Sequence, residues 1–305
     1  MKKILLFIII IILIPILIIG FNNKNEIIKK IKYGYLNNKT IRVKIESTGE
    51  IKEVPLEEYV IGVVAGEMPA SFSDEALKAQ AVASRTYALN KCSNKEYDVT
   101  NTTKDQVYIT IDEMKDKWKD NFEVNYNRIK NLVTKTNGEV VLFENKLIDA
   151  MFFSTSNGYT ENSEDVFSNS LPYLKSVESS WDKTESPAFY SESTYTKEEF
   201  LHNLNLDINQ DIDITNIERT KTGRVKSLYI NKNKYSSSKI KEAFNLKSTS
   251  FKINIKNDIV TFSVSGFGHG VGLSQYGANG MAKQGFDYKS ILLYYYKDCE
   301  IKKIN

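Results

Sequence analysis

Two cysteines and two histidines in 305 residues leave little material for metal or redox chemistry. Cys92 and Cys299 stand far apart, so neither a disulfide framework nor a CxxC metal signature can be assembled. Two free thiols are expected, with a single Cys92–Cys299 bridge as the alternative outside a cell. His202 and His269 are too few for a structural zinc site. Arginine is confined to positions 42, 85, 128, 219 and 224. With 41 basic and 38 acidic residues the net charge is +3, which gives no argument for a nucleic-acid partner. No repeat or low-complexity tract is present beyond a general richness in Asn, Lys and Ile. No G-x-S-x-G elbow occurs, so a nucleophilic serine has no support.

The chain does have one long apolar run. After Met1-Lys2-Lys3 it extends from Ile4 to Phe21. At about 1.5 Å per residue this is just enough to cross a hydrocarbon core of roughly 30 Å. It ends Ile18-Ile19-Gly20-Phe21-Asn22 without an A-x-A cleavage pattern. The expectation is a cytoplasmic stub at 1–3, an uncleaved transmembrane anchor at 4–21, a polar tether at 22–38 and an ectodomain at 39–305. A cleaved signal peptide is the alternative. Lysines on both flanks weaken the charge asymmetry, so the orientation rests partly on the absence of a cytoplasmic domain.

Within the ectodomain, Thr40–Ile45 alternates polar and apolar and predicts a strand, followed by a second at Ile51–Pro55. Pro55 opens a helix with Leu56, Tyr59, Val60 and Val63 on one face; Gly66 and Pro69 end it and leave Glu67 in the connection. Ser73 caps an Ala-rich helix reaching about Asn90, whose alanines imply close packing and a central position. Further helices are predicted at 111–135, after a Thr196 cap, at 273–284 and at 288–296. Strands are predicted at 140–143, 148–154, 225–230, 251–255 and 259–264, with 203–217 irregular. The fold class is α+β, a single mixed ectodomain open to division into two lobes around a substrate cleft.

Glu67 stands in the run Val60-Ile61-Gly62-Val63-Val64-Ala65-Gly66-Glu67-Met68-Pro69, which is otherwise apolar or small. Such surroundings disfavour a carboxylate and raise its pKa, the preparation of a general acid. The plain alternative is a solvent-facing Glu past a helix end. Arg85, on the Ala-rich helix, needs a partner if buried, or else serves the helix C-terminus. Met151 to Thr160 runs from a strand into hydroxyls and a glycine turn, making Ser154 and Ser156 candidate ligand contacts. Gly266 to Ala278 has glycine at nearly every other position up to a helix start, which lets backbone approach a ligand closely. It carries His269, Gly270, Ser274, Gln275 and Tyr276. It lacks the Lys-Ser/Thr ending of a phosphate loop.

Glu58 to Met68, Glu75 to Ala88 and Gly266 to Ala278 together resemble the SpoIID family (stage II sporulation protein D, of the SpoIID/LytB group). Weaker matches are Gln106-Val107-Tyr108, Phe153 to Thr160, Tyr173 to Val177 and Thr222-Gly223-Arg224-Val225, all in the family's order. The resemblance implies a membrane-anchored lytic transglycosylase. It would cut stem-peptide-stripped peptidoglycan glycan strands during engulfment of the forespore, in the space between mother cell and forespore. It implies a SpoIIP-like amidase and a SpoIIM-like membrane protein as partners. The catalytic acid falls on Glu67, and Arg85, Tyr173, Lys175, His269, Ser274 and Gln275 fall in the substrate cleft. Some relatives hold zinc between the Ala-rich helix and the Gln-Val-Tyr segment. Here that stretch offers only Cys92, so no zinc and no other cofactor is expected. A second reading stays open: a non-catalytic glycan-binding activator of a cell-wall amidase.

Overall fold

A computed structural model describes residues 39–92, 96–167 and 169–304. The expected stub, anchor and tether lie outside the described residues. No helix among the described residues is long and apolar enough to cross a membrane.

Strands β1 (Thr40–Lys44) and β2 (Ile51–Pro55) form an antiparallel hairpin, and β3 (Val99–Thr100) adds to β1 in parallel. Alternation along β1 turns Ile41 and Val43 fully inward. Helix α1 (Leu56–Glu67) leaves directly from β2 and is buried from Tyr59 through Ala65, so it is a core helix rather than an amphipathic one. Helix α2 (Asp74–Lys91) lies against it. Its Ala76, Ala79, Ala81, Ala83 and Ala88 have no exposed surface, which lets neighbouring helices approach closely.

The predicted helix at 111–135 is broken. Lys119, with φ +49°, separates α3 (Ile111–Trp118) from α4 (Phe122–Lys135) through a tight 3-10 turn. Strand β4 (Glu139–Phe143) turns through Glu144 and Asn145, both at positive φ, into β5 (Lys146–Leu147). The predicted strand at 148–154 shrinks to β6 (Phe152–Phe153), whose partner is the equally short β13 (Leu273–Ser274) in parallel register. Short helices α5 (Ser163–Val166) and α6 (Asp182–Glu185) follow.

Residues 190–265 build a second hydrophobic core. One antiparallel sheet has the order β10-β9-β8, from Asn233–Ser236, Val225–Ile230 and Ile214–Arg219. Another has the order β11-β12-β7, from Phe251–Lys256, Ile259–Ser265 and Tyr190–Thr196. Helices α7 (Lys197–Asn203) and α8 (Ser237–Ala243) complete it. Phe200, Phe244, Phe251 and Phe262 meet at its centre. Thr196 caps α7 as predicted, its hydroxyl accepting from the Glu199 N–H while the Glu199 carboxylate reaches back. The chain then returns to the first core through the glycine segment, α9 (Gln275–Lys283), α10 (Tyr288–Tyr295) and β14 (Glu300–Lys303), the last pairing with β4. The architecture is α+β with two cores, and the glycine segment is a crossing point between them.

Candidate functional site

Glu67 belongs to the last turn of α1 rather than to the connection after it. Gly66 does not end the helix: it is seated against the backbone of Val107, where a Cβ would collide with the Val107 carbonyl. That close approach aims the Val107 N–H at Glu67, whose Oε1 accepts it at 2.7 Å. Oε2 accepts from Nε2 of Gln275 at 3.2 Å, so residues more than two hundred positions apart meet at one carboxyl group. The same Nε2 reaches Oε1 of Gln80 at 3.4 Å. Lys117, on α3, donates from Nζ to the Ala65 carbonyl at 2.7 Å, placing a cation over the end of the helix that carries the acid.

Glu67 is half-buried, so the group is reachable although most of its surroundings are protein. Burial raises its pKa above the ordinary carboxylate value. The Val107 N–H, the Gln275 amide and the Lys117 charge pull in the opposite direction. The result is a carboxyl that holds a proton more readily than a surface Glu, with donors ready to stabilise it once the proton has gone.

The hydroxyl-rich and glycine-rich segments are brought together. Phe152 and Phe153 pair with Leu273 and Ser274, Thr155 bridges to Phe267, and Glu161 bridges to Val271. Ser156 and Ser274, both fully buried, are engaged within the protein. Their hydroxyls donate to Asp182 at 2.9 and 2.6 Å, the Ser156 N–H adds a bond at 3.0 Å, and Ser179 adds another at 2.6 Å. Ser274 also caps α9, the helix that presents Gln275. Asp182 is thus a buried hub that fixes both segments; nothing in its local sequence, Trp181-Asp182-Lys183, marks it. Ser154 accepts at its carbonyl from the Tyr276 N–H, and the half-buried Tyr276 ring meets Phe72 edge-on at 4.9 Å.

His269 accepts from the Val271 N–H at Nδ1 and donates from Nε2 to the Phe152 carbonyl. Both nitrogens are occupied, so the ring is neutral and ties the glycine segment to β6. Burial, together with the nearby charge of Arg224, pushes its pKa down to about 4. Gly270 has φ +91°, and a Cβ there would come within 2.7 Å of the Arg224 guanidinium. Glycine is required on both counts.

Three residues expected in the cleft have their polar groups engaged by other parts of the protein. Arg85 has no exposed surface and makes a two-pronged ion pair with Glu57, both bonds 2.7 Å, plus a bond to the Glu139 carbonyl. Its burial is compensated internally, so it braces α1, α2 and β4 rather than meeting a ligand. The buried Tyr173 uses its hydroxyl to accept from the Asp149 N–H. Lys175 pairs with Glu164 at 2.7 Å on the surface. Lys117 and Asp182 were not singled out from the sequence, and Val107 stood there only within a matching segment, because their roles depend on contacts between distant segments. Cys92 and Cys299 are free thiols.

A sequence model described as SpoIID, stage II sporulation protein, matches residues 44–143. The chain is 42% identical over 265 residues to stage II sporulation protein D of Bacillus amyloliquefaciens, covering 84% of this chain and 77% of that protein. It is 41% identical over 261 residues to the protein of that name from Bacillus subtilis strain 168, covering 83% and 76%. It is also 32% identical over 289 residues to a Bacillus subtilis protein named amidase enhancer, covering 77% of this chain and 39% of that one.

Proposed function

Because the chain belongs to the SpoIID family of stage II sporulation proteins, we propose that it is a lytic transglycosylase acting on peptidoglycan glycan strands, with Glu67 as the catalytic acid. The observation that carries this reading is the Glu67 carboxyl itself: accessible, raised in pKa by burial, and held by donors from Val107 and Gln275. Two carboxylates are the common requirement for glycosidic cleavage. One suffices when the sugar supplies its own nucleophile.

Protonated Glu67 gives its proton to the glycosidic oxygen as the bond from the anomeric carbon breaks. The leaving strand departs as an alcohol. The carboxylate, now bonded to Val107 and Gln275, takes the proton of the sugar's 6-hydroxyl while that oxygen closes on the anomeric carbon. An anhydro ring results, Glu67 is reprotonated, and no water is consumed. On this reading the substrate is glycan already stripped of stem peptides by an amidase. The apolar 4–21 segment holds the chain at the cell membrane with its body outside the cytoplasm.

A second reading draws on the relative named amidase enhancer: a glycan binder that stimulates an amidase without cutting. Digestion of stem-stripped strands followed by mass spectrometry separates the two. Anhydro-muramic ends that disappear with Glu67→Gln support the transglycosylase. Cleavage undiminished in that variant removes Glu67 as the acid, and absence of cleavage by the unaltered chain favours the binder.

A further inference from the structure

Helix α2 is packed largely through alanine, yet it buries one long amide. Gln80 has no exposed surface, on a helix whose Ala76, Ala79, Ala81 and Ala83 have none either. Burying an amide is unfavourable unless its groups are paired, and both ends of this one are. Its Nε2 donates to Oγ of Ser84, one turn further along and equally buried, at 3.0 Å. Its Oε1 accepts from Nε2 of Gln275 at 3.4 Å. That nitrogen carries two hydrogens, and it also donates to Oε2 of Glu67 at 3.2 Å. Gln275 itself is 4% exposed. The chain Ser84, Gln80, Gln275, Glu67 therefore runs from the packed interior of α2 to the candidate acid through protein groups alone.

The end of Gln275 that faces Glu67 decides what it does there. A side-chain amide has a donor end and an acceptor end of nearly the same shape. The nitrogen stabilises a carboxylate, whereas the oxygen repels it and suits only the protonated acid. Gln80 distinguishes the two, because its Oε1 is an acceptor and takes the nitrogen, while its own Nε2 is held by Ser84. In this orientation the Gln275 bond opposes the effect of burial on Glu67.

We infer that Gln80 is a positioning residue, acting through Gln275 by holding the amide nitrogen, rather than the oxygen, against Glu67. The inference rests on the reading of Glu67 as an acid that then takes the 6-hydroxyl proton, a step in which the carboxylate gains from a fixed donor. The Val107 N–H and the charge of Lys117 on α3 act on Glu67 from other elements and are not altered by a change at Gln80.

The test uses the full-length chain in detergent, with stem-stripped glycan as substrate. Gln80→Met keeps the reach of the side chain and removes the acceptor. Its kcat should fall about tenfold with KM unchanged. The alkaline limb of its pH profile should move to higher pH, because a carboxyl that has lost a fixed donor keeps its proton longer. Gln275→Met should move the limb in the same direction, and the double variant no further than Gln275→Met alone. A limb that stays in place in Gln80→Met, or shifts that add in the double variant, makes Gln80 a packing residue; either overturns the inference and leaves the Glu67 reading standing. A second measurement requires neither cleavage nor a folded Gln80 variant. With nitrogen-15 in glutamine side chains, the Gln275 and Gln80 amide signals should titrate with one shared midpoint in the unaltered chain and lose it in Glu67→Gln. A Gln80 signal that does not follow that midpoint also overturns the inference. Absence of cleavage with the shared midpoint intact defeats the Glu67 reading instead and supports the positioning contact.

Discussion

A carboxyl group set among donors has its proton affinity tuned from several sides, and Glu67 makes each contribution separable. Burial raises its pKa, and Lys117 is among the groups that lower it. Lys117→Met should therefore raise it further, extending the protonated fraction and moving the alkaline limb of the cleavage profile to higher pH. A pH series on stripped glycan checks this; a limb that moves to lower pH contradicts the assignment. Glu161 is the second tuned acid. Burial, outweighing the attraction of Arg224, carries it from the ordinary value of 4.5 up to about 7. The native state thus holds a proton that the unfolded chain releases earlier, so this group's stabilising contribution is full below about 4.5 and is lost as pH rises through about 7. Its slope is at most about 1.4 kcal/mol per pH unit. Melting midpoints of Glu161→Gln across that window should lose this component. Glu67 was legible because an acid in an apolar run is visible locally. Lys117 and Asp182 were not, since each is ordinary in its own neighbourhood and acquires meaning only through residues folded onto it.

Among the elements, the helices were read most directly and the short strands least. Periodicity and caps marked α1, α2, α7 and α10, whose information is local. Strands β6 and β13 are two residues each, and their pairing joins positions more than a hundred apart, so no window on the sequence could reveal it. Strand β7, with its polar run Tyr190–Thr196, was missed because every residue of it stays at least partly exposed along the edge of its sheet. Arg85 belongs to this scale. It joins α2 to α1 through Glu57 and to β4 through the Glu139 carbonyl. Arg85→Ala should cost roughly 3 kcal/mol of stability, the usual result of breaking a buried pair. Denaturant midpoints would register that loss, while the KM of the folded fraction stays unchanged. Gly270→Ala places a methyl group against Arg224 in backbone that disfavours side chains, and should destabilise by about 2 kcal/mol on the same measurement.

In the molecule as a whole, the glycine segment leaves the second core at β12 and enters the first at β13, carrying Gln275 to Glu67 on the way. The α+β class followed from the mixture of patterns. The division into two cores did not, because both contain the same residue types and only their contacts separate them. The account's central claim is that Glu67 cleaves glycan without water. Digestion of stem-stripped strands in oxygen-18 water tests it most directly. The account predicts ends lighter by one water than hydrolytic products, free of the label and absent with Glu67→Gln. Labelled reducing ends, or unlabelled anhydro ends that persist in that variant, would contradict it.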